Sequence, residues 1–353
     1  MKRRSFLKGA ALAGLGALVA PELAARGVSR QAPKADASPA ADFRFRPDGS
    51  FKLMQITDTH HIKGDVRSVR AMACVCDALD AELPDLVIHT GDIIFGRPDI
   101  DSAMEILQPL VDRKIPFAVA LGNHDSQFGA KREEMYQAIR NLPGCVNTAP
   151  KEGVYGCSND LITLSGDAGP ERALYLFDSM DAVVLKGEEE IHCYDYIRHS
   201  QIGWYRDWSA RLTKANGGNP VPSLAFMHIP LCEVAEGLAS ERHTLVGNNC
   251  EPPCPSRLNS GLAAQFRELG DVQAAVFGHD HDCDYVMNYS GLHYIYGRYS
   301  GGDTIYNHLG AEGASESRKV SGVRVFGFLK GDPGFITYIR LYGGDRQFPV
   351  RIG

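Results

Sequence analysis

Two histidines and three aspartates fall within nine residues, Val276 to Asp284 (VFGHDHDCD), at the end of the apolar run VQAAVF. A single imidazole in a turn can rest its ring nitrogens on backbone carbonyls, but His279 and His281, two residues apart, both need partners. The rest of the chain supplies candidates in a repeated context. Asp58 and His60 follow FKLMQI in DTHH, and Asp92 follows LVIHT in GD. Asn123, His124 and Asp125 follow PFAVAL in GNHD, and His228 follows SLAFM in MHIP. Mixed carboxylate, amide and imidazole donors suit iron, zinc or manganese better than a thiolate-held structural zinc does.

The runs that carry these groups read as strands, and between them lie segments with helical character at 65–82, 99–113 and 130–142. Strand alternating with helix implies parallel pairing, and nearly continuous apolar strands fit a sheet covered on both faces. Beyond Val154 strand-like runs predominate: VYGCSNDLITL, RALYLFDS, GLHYIYGR, VSGVRVFGFL and FITYIRLYG, with helices expected at about 199–214 and 260–269. The expected architecture is one α/β domain over residues 51–353, with two packed sheets and outer helices. Ligand sites in such sheets lie beyond the carboxyl ends of the strands, so the five clusters should converge on one rim.

The ordered set D-x-H, G-D, G-N-H-D, H, G-H-x-H resembles the calcineurin-like metallophosphoesterase superfamily over about residues 51–290. The words TGDIIFG, AVALGNHD, LAFMHIPL, LNSG and VFGHDHDCDY are most similar to its non-purple branch related to purple acid phosphatases. The resemblance implies a four-layer α/β/β/α sandwich of two mixed sheets flanked by helices, holding two metal ions. Carried over residue by residue, Asp58, His60, Asp92 and His281 would hold one metal. Asp92, Asn123, His228 and His279 would hold the other, with Asp92 as the bridge. The implied reaction is hydrolysis of phosphate esters by in-line attack of hydroxide, which a metal makes available by lowering the pKa of its water from about 16 to about 7. The slowest such hydrolyses are accelerated up to about 10²¹-fold, whereas a positioned acid or base supplies about 10²- to 10⁴-fold, so the metals must carry most of the catalysis.

His124 is left off the metals by this pattern and is assigned to the leaving oxygen, with Asp125 supporting the ligand loop. Purple acid phosphatases place a tyrosine three residues after the bridging aspartate, and phosphoprotein phosphatases an aspartate that supports the leaving-group histidine; here the residue is Phe95. Neither device is present, and His60 supplies a ligand in place of the tyrosine. Arg298 and His308 are candidate substrate contacts. Phosphomonoesters are the favoured substrates, with a phosphodiesterase or nucleotide hydrolase as the alternative and a non-catalytic metal-dependent binding protein as a third reading.

The first residues, MKRRSFLKGAALAGLGALVAPELAARG, combine a basic start with an uncharged stretch from Gly9 to Pro21, which is a signal-peptide pattern. Arg3-Arg4-Ser5-Phe6-Leu7-Lys8 resembles the twin-arginine export motif, which implies the twin-arginine translocase as a partner and a periplasmic or extracellular destination. The stretch is shorter than the about 20 residues of a spanning helix, so no permanent membrane anchor is expected. Residues 1–37 are the expected leader and 38–50 a linker, with Ala35-Asp36-Ala37 and Leu23-Ala24-Ala25 as candidate cleavage sites. The net charge of the 353 residues is −6. Removing 7 Lys/Arg and 2 Asp/Glu with the leader leaves 30 against 41, or −11, which argues against nucleic acid or an anionic membrane as a partner. Of nine cysteines, Cys250 and Cys254 in CEPPC are the best candidates for a local disulfide.

Overall fold

The computed structural model describes residues 38–187, 189–305 and 320–353. The leader with Arg3 and Arg4, and the candidate contact His308, lie outside the described residues.

In chain order the strands are β1 (Ala41–Arg44), β2 (Ser50–Ile56), β3 (Leu86–His89), β4 (Phe117–Val119), β5 (Asp160–Ser165), β6 (Pro170–Leu176), β7 (Ala182–Leu185) and β8 (Ile191–Tyr194). They continue with β9 (Ser223–Phe226), β10 (Thr244–Val246), β11 (Val272–Phe277), β12 (Val286–Tyr289), β13 (Leu292–Tyr296), β14 (Gly322–Leu329), β15 (Phe335–Leu341) and β16 (Arg346–Ile352). The helices are α1 (Val69–Glu82), α2 (Asp99–Asp112), α3 (Arg132–Arg140), α4 (His199–Ala215), α5 (Glu233–Ala239) and α6 (Leu262–Leu269).

One sheet has the order β16-β15-β14-β2-β3-β4 and is parallel across β2, β3 and β4. The other has the order β1-β5-β6-β9-β11-β13-β12-β10 and is parallel from β6 to β13. Side chains alternate across each strand, so apolar residues at successive positions serve two cores. Leu86 and Ile88 of β3 meet Leu224 and Phe226 of β9 and Ala274 and Val276 of β11 in the layer between the sheets. Val87, between them in sequence, joins Leu79 of α1, Ile106 of α2 and Met135 of α3 on the outer face. Ala225 and Phe277 face the other way, toward Tyr205 of α4 and Phe266 of α6. The result is the expected α/β/β/α sandwich of two mixed sheets.

Two local features, the linker and the Cys250–Cys254 pair, depart from the sequence expectation. The expected linker contains a strand: β1 runs parallel to β5, and Asp42 Oδ1 accepts from Thr163 Oγ1 at 2.7 Å and Ser165 Oγ at 2.6 Å. Phe43 and Phe45 pack on the central core and give this polar segment a reason to order. The loop at 232–259 holds α5 and β10. Cys250 and Cys254 are exposed and not joined by a disulfide. Backbone bonds secure that loop instead: Cys254 N–H donates to Asp280 Oδ1 at 3.1 Å, and Cys250 N–H to Asp282 O at 3.1 Å. Among the described residues no helix is long and apolar enough to cross a membrane.

Candidate metal centre

The carboxyl ends of β2, β3 and β4 in one sheet and of β9 and β11 in the other deliver all five clusters to one place. Asp58, His60, Asp92 and His281 each offer a ligand atom within 4.8 Å of the others, and so do Asp92, His228 and His279. Asp92 belongs to both groups. Its Oδ2 lies 3.1 Å from His228 Nε2 and 3.8 Å from His60 Nε2, and so faces both sides. His60 Nε2 and His281 Nε2 are 3.0 Å apart, with Asp58 Oδ1 3.3 Å from the latter. On the other side, His228 Nε2 has Asn123 Oδ1 at 3.1 Å and His279 Nδ1 at 3.3 Å.

Local backbone geometry aims these donors. Asp58, His60, Asp92 and His279 have φ of 55°, 45°, 52° and 74°. This left-handed conformation costs a non-glycine residue about 1–2 kcal/mol and turns each chain sharply at its strand end. The glycines of the motifs are steric requirements. A Cβ at Gly122 would lie 2.2 Å from Asp92 Oδ1, and one at Gly278 would lie 2.0 Å from Thr57 Oγ1 and 2.7 Å from Asp58 Oδ2.

Polar groups behind the donors fix their orientation. His228 Nδ1 donates to Thr90 O at 2.7 Å, which points Nε2 toward the centre. Thr57 Oγ1 donates to Asp58 Oδ2 at 2.6 Å. Asp125 accepts from the backbone N–H groups of Gly122 (2.8 Å), Asp92 (3.1 Å), Ile93 (2.7 Å) and Ile94 (3.3 Å), stapling the GD turn to the GNHD turn. Buried His89, not singled out from the sequence, accepts from Gly91 N–H at Nδ1 (3.2 Å) and bonds Thr59 Oγ1 through Nε2 (3.1 Å). Burial holds its pKa down at about 3, and as a neutral ring it ties the first two motifs together.

The electrostatics fit cations. Burial alone would raise Asp58 and Asp92, but the hydrogen bond and charge of His281 hold Asp58 well below the usual carboxylate range, and His228 does the same for Asp92. Burial drives His60 well down and His279 to about 3, with the neighbouring histidines adding to the effect. His228 is pushed up to about 9, because against its burial the two carboxylates demand positive charge at that point. Charged carboxylates and two neutral imidazoles are the forms in which these side chains bind metals. The paired Nε2 atoms of His60 and His281 also cannot both accept from each other, whereas one cation would satisfy both.

His124 sits beside the shared carboxylate, its Nε2 3.9 Å from Asp92 Oδ2 and its side chain 24% exposed. Its backbone N–H donates to Asp92 Oδ1 at 2.8 Å. Phe95 packs edge-on against His124 and His60, with centroids 4.9 and 5.3 Å away. His61, next to a donor, bonds Glu105 at 2.7 Å. Arg298 departs from its expected place in substrate contact. It is 1% exposed, with its guanidinium donating to Asp284 and to Val320 O, so it is committed to a buried ion pair. Sequence reasoning also missed Arg132, whose guanidinium donates to Gly122 O (2.7 Å), Leu121 O (2.9 Å) and Asp178 Oδ1 (2.6 Å). It anchors the GNHD turn to the end of β6, a connection that only the fold creates.

Two facing sheets that bring candidate metal donors to one rim are the frame of a known class of phosphoesterases. The chain belongs to the family described as calcineurin-like phosphoesterase, whose model matches residues 51–283. It is 30% identical over 294 residues to "Probable inactive purple acid phosphatase 28" of Arabidopsis thaliana, covering 74% of this chain and 72% of that protein. To "Phosphatase DCR2" of Saccharomyces cerevisiae it is 28% identical over 267 residues, covering 68% of this chain and 45% of that protein. Among solved structures, a dimetal phosphatase from Danio rerio shares the fold at a TM-score of 0.54 and 13% identity, over 89% of this chain and 99% of that one.

Proposed function

We propose that the protein is an exported phosphomonoesterase that works with two metal ions, drawn from iron, zinc and manganese, bridged by Asp92. The observation that carries this reading is the sharing of Asp92 Oδ2 by two donor groups, with His60 and His281 on one side and His228, His279 and Asn123 on the other. When bound, the metals would neutralise phosphoryl oxygens and acidify a water. The residues of the chain do the remainder. Asp58, His60 and His281 would hold one ion, and Asn123, His228 and His279 would hold the other. Asp125 and Thr57 keep the carboxylates in register, and His124 delivers a proton from Nε2 to the leaving oxygen.

The name of the Arabidopsis relative favours a second reading, a metal-dependent binding protein without turnover. Against it stand the full donor set and a partly exposed His124 at the mouth of the centre. Metal analysis combined with a panel of phosphomonoesters and diesters separates the readings. The proposal expects two metals per chain and turnover of monoesters above diesters; two metals with no turnover of any ester would favour the binding reading. Preference for diesters would move the assignment to a phosphodiesterase. Export rests on the twin arginines, so replacing Arg3 and Arg4 together by lysine should leave the precursor in the cytoplasm. Normal secretion of that variant would remove the twin-arginine route.

A further inference from the structure

Phe95 cannot support His124 as an aspartate would, yet His124 Nδ1 has a partner. Gln127, which ends the short 3-10 helix His124–Ser126, places Oε1 2.7 Å from it. The amide of Gln127 in turn donates from Nε2 to Asp181 Oδ1 at 3.1 Å. Asp181 precedes β7 and is fixed from two sides. Its carbonyl accepts from Asp195 N–H at 2.8 Å, and the preceding residue, Met180 at φ 62°, donates its N–H to Asp178 Oδ1 at 3.0 Å. Asp178 is the partner of Arg132, which also grips the carbonyls on either side of the Leu121–Gly122 bond just before His124. One buried ion pair thus sets the spacing between His124 and Asp181.

We infer that Gln127 and Asp181 are positioning residues that hold the Nδ1 proton of His124 and so leave Nε2 as the nitrogen that gives its proton up, an inference that rests on the reading of His124 as proton donor to the leaving oxygen. A carboxylate only accepts, so Asp181 forces the amide of Gln127 to present NH₂ to it and the carbonyl oxygen to His124. That oxygen needs a proton on Nδ1, which turns Nε2 toward Asp92 and the centre. The arrangement serves both forms of the ring. When Nε2 also carries a proton, Nδ1–H still has its acceptor, whereas a flipped amide would set donor against donor. Phe95 and Phe128 confine the ring plane, with centroids 4.9 and 6.5 Å from it, and the amide decides which nitrogen bears the proton. This gives the chain a neutral relay backed by a carboxylate in place of a carboxylate on the ring itself.

The test compares the metal-loaded wild type with Gln127→Leu, Asp181→Asn, the double variant that combines Gln127→Glu with Asp181→Asn, and His124→Ala. Each is assayed on nitrophenyl phosphate and on an alkyl phosphate, with metal content measured. Gln127→Leu should lower kcat on the alkyl ester about 10- to 100-fold, the range of a hydrogen bond to a charged group. The loss on the nitrophenyl ester should be smaller, and KM and metal content should stay put. Asp181→Asn, which frees the amide to turn, should lose less. In the double variant a carboxylate at position 127 accepts from the ring and an amide at position 181 donates to that carboxylate, so most of the loss should be recovered. A readout independent of turnover is the ¹⁵N spectrum of the His124 ring in the metal-free protein: Nδ1–H in wild type, and a mixture in Asp181→Asn. Equal losses on both esters for Gln127→Leu, beside an ester-dependent loss for His124→Ala, would overturn the inference alone. No ester dependence in His124→Ala would overturn the assignment of His124, and the inference with it.

Discussion

The two halves of the centre are built differently. Asp58, His60 and His281 are all buried, at 1%, 0% and 5% exposure, and His60 and His281 face each other from opposite sheets. In the other half Asn123 and His228 are buried, but His279 is half-buried, with its ring edge-on to Tyr194 of the β7–β8 hairpin at a centroid distance of 4.4 Å; His124, its ring 5.4 Å from that of His60 and its Nε2 beside the shared Asp92, opens to solvent at the edge of the centre. The closed half is a place to keep an ion. The more open half is bordered by the hairpin of β7 and β8, although its donors too follow central strands, β4, β9 and β11.

The largest expected effect that sharpens this contrast lies at the open edge. His124→Ala should keep both metals and lose about 10²- to 10⁴-fold in rate. The loss should shrink for acidic leaving groups such as nitrophenol, which need little protonation. Loss of a metal in this variant would make His124 a ligand and erase its separate role.

The next effect concerns the clamp that joins the GNHD turn to β6. Although burial alone would raise the Asp178 carboxyl, the Arg132 charge and the N–H groups of Ser158 and Cys157 hold it down at about 2. A depressed carboxyl contributes stability above its unfolded pKa of about 3.9 and loses it as pH falls toward 2. Arg132→Met strands that charge, and breaking a buried pair from one side costs about 3–5 kcal/mol. Denaturant melts should show that deficit at pH 7 and a narrowing gap below about pH 4. A gap independent of pH would mean that lost packing, not the ion pair, is responsible.

A smaller effect tests accessibility itself. Titration with a chelator should remove one metal before the other, with activity lost in the first phase, because solvent reaches the half containing His279. Simultaneous release of both ions would show that the halves do not differ in exchange.

The same contrast describes what the sequence could show. Asp58, Asp92, Asn123, His228 and His279 follow apolar runs whose pattern places them at strand ends, so the convergence of the donors was legible. The positive φ angles at four donors were not, since only the surrounding packing imposes them. The links from Gln127 to Asp181 and from Arg132 to Asp178 were not legible because they join positions 54 and 46 apart in the sequence, which only the fold brings together. Arg298 misled for the opposite reason: its position after the last motif suggested substrate, while its charge answers buried Asp284. At β1 only Phe43 within the strand and Phe45 just beyond it mark an ordered segment, and the small polar residues before them dominate the composition.

If one carboxylate holds two ions together, Asp92→Asn removes the group on which both depend. An asparagine keeps the shape and removes the charge that faces both His60 and His228. Metal analysis of this variant beside wild type should show two ions per chain falling together with activity, on monoesters with acidic and alkyl leaving groups alike. Retention of both ions, or loss of one with activity intact, would contradict the bridge.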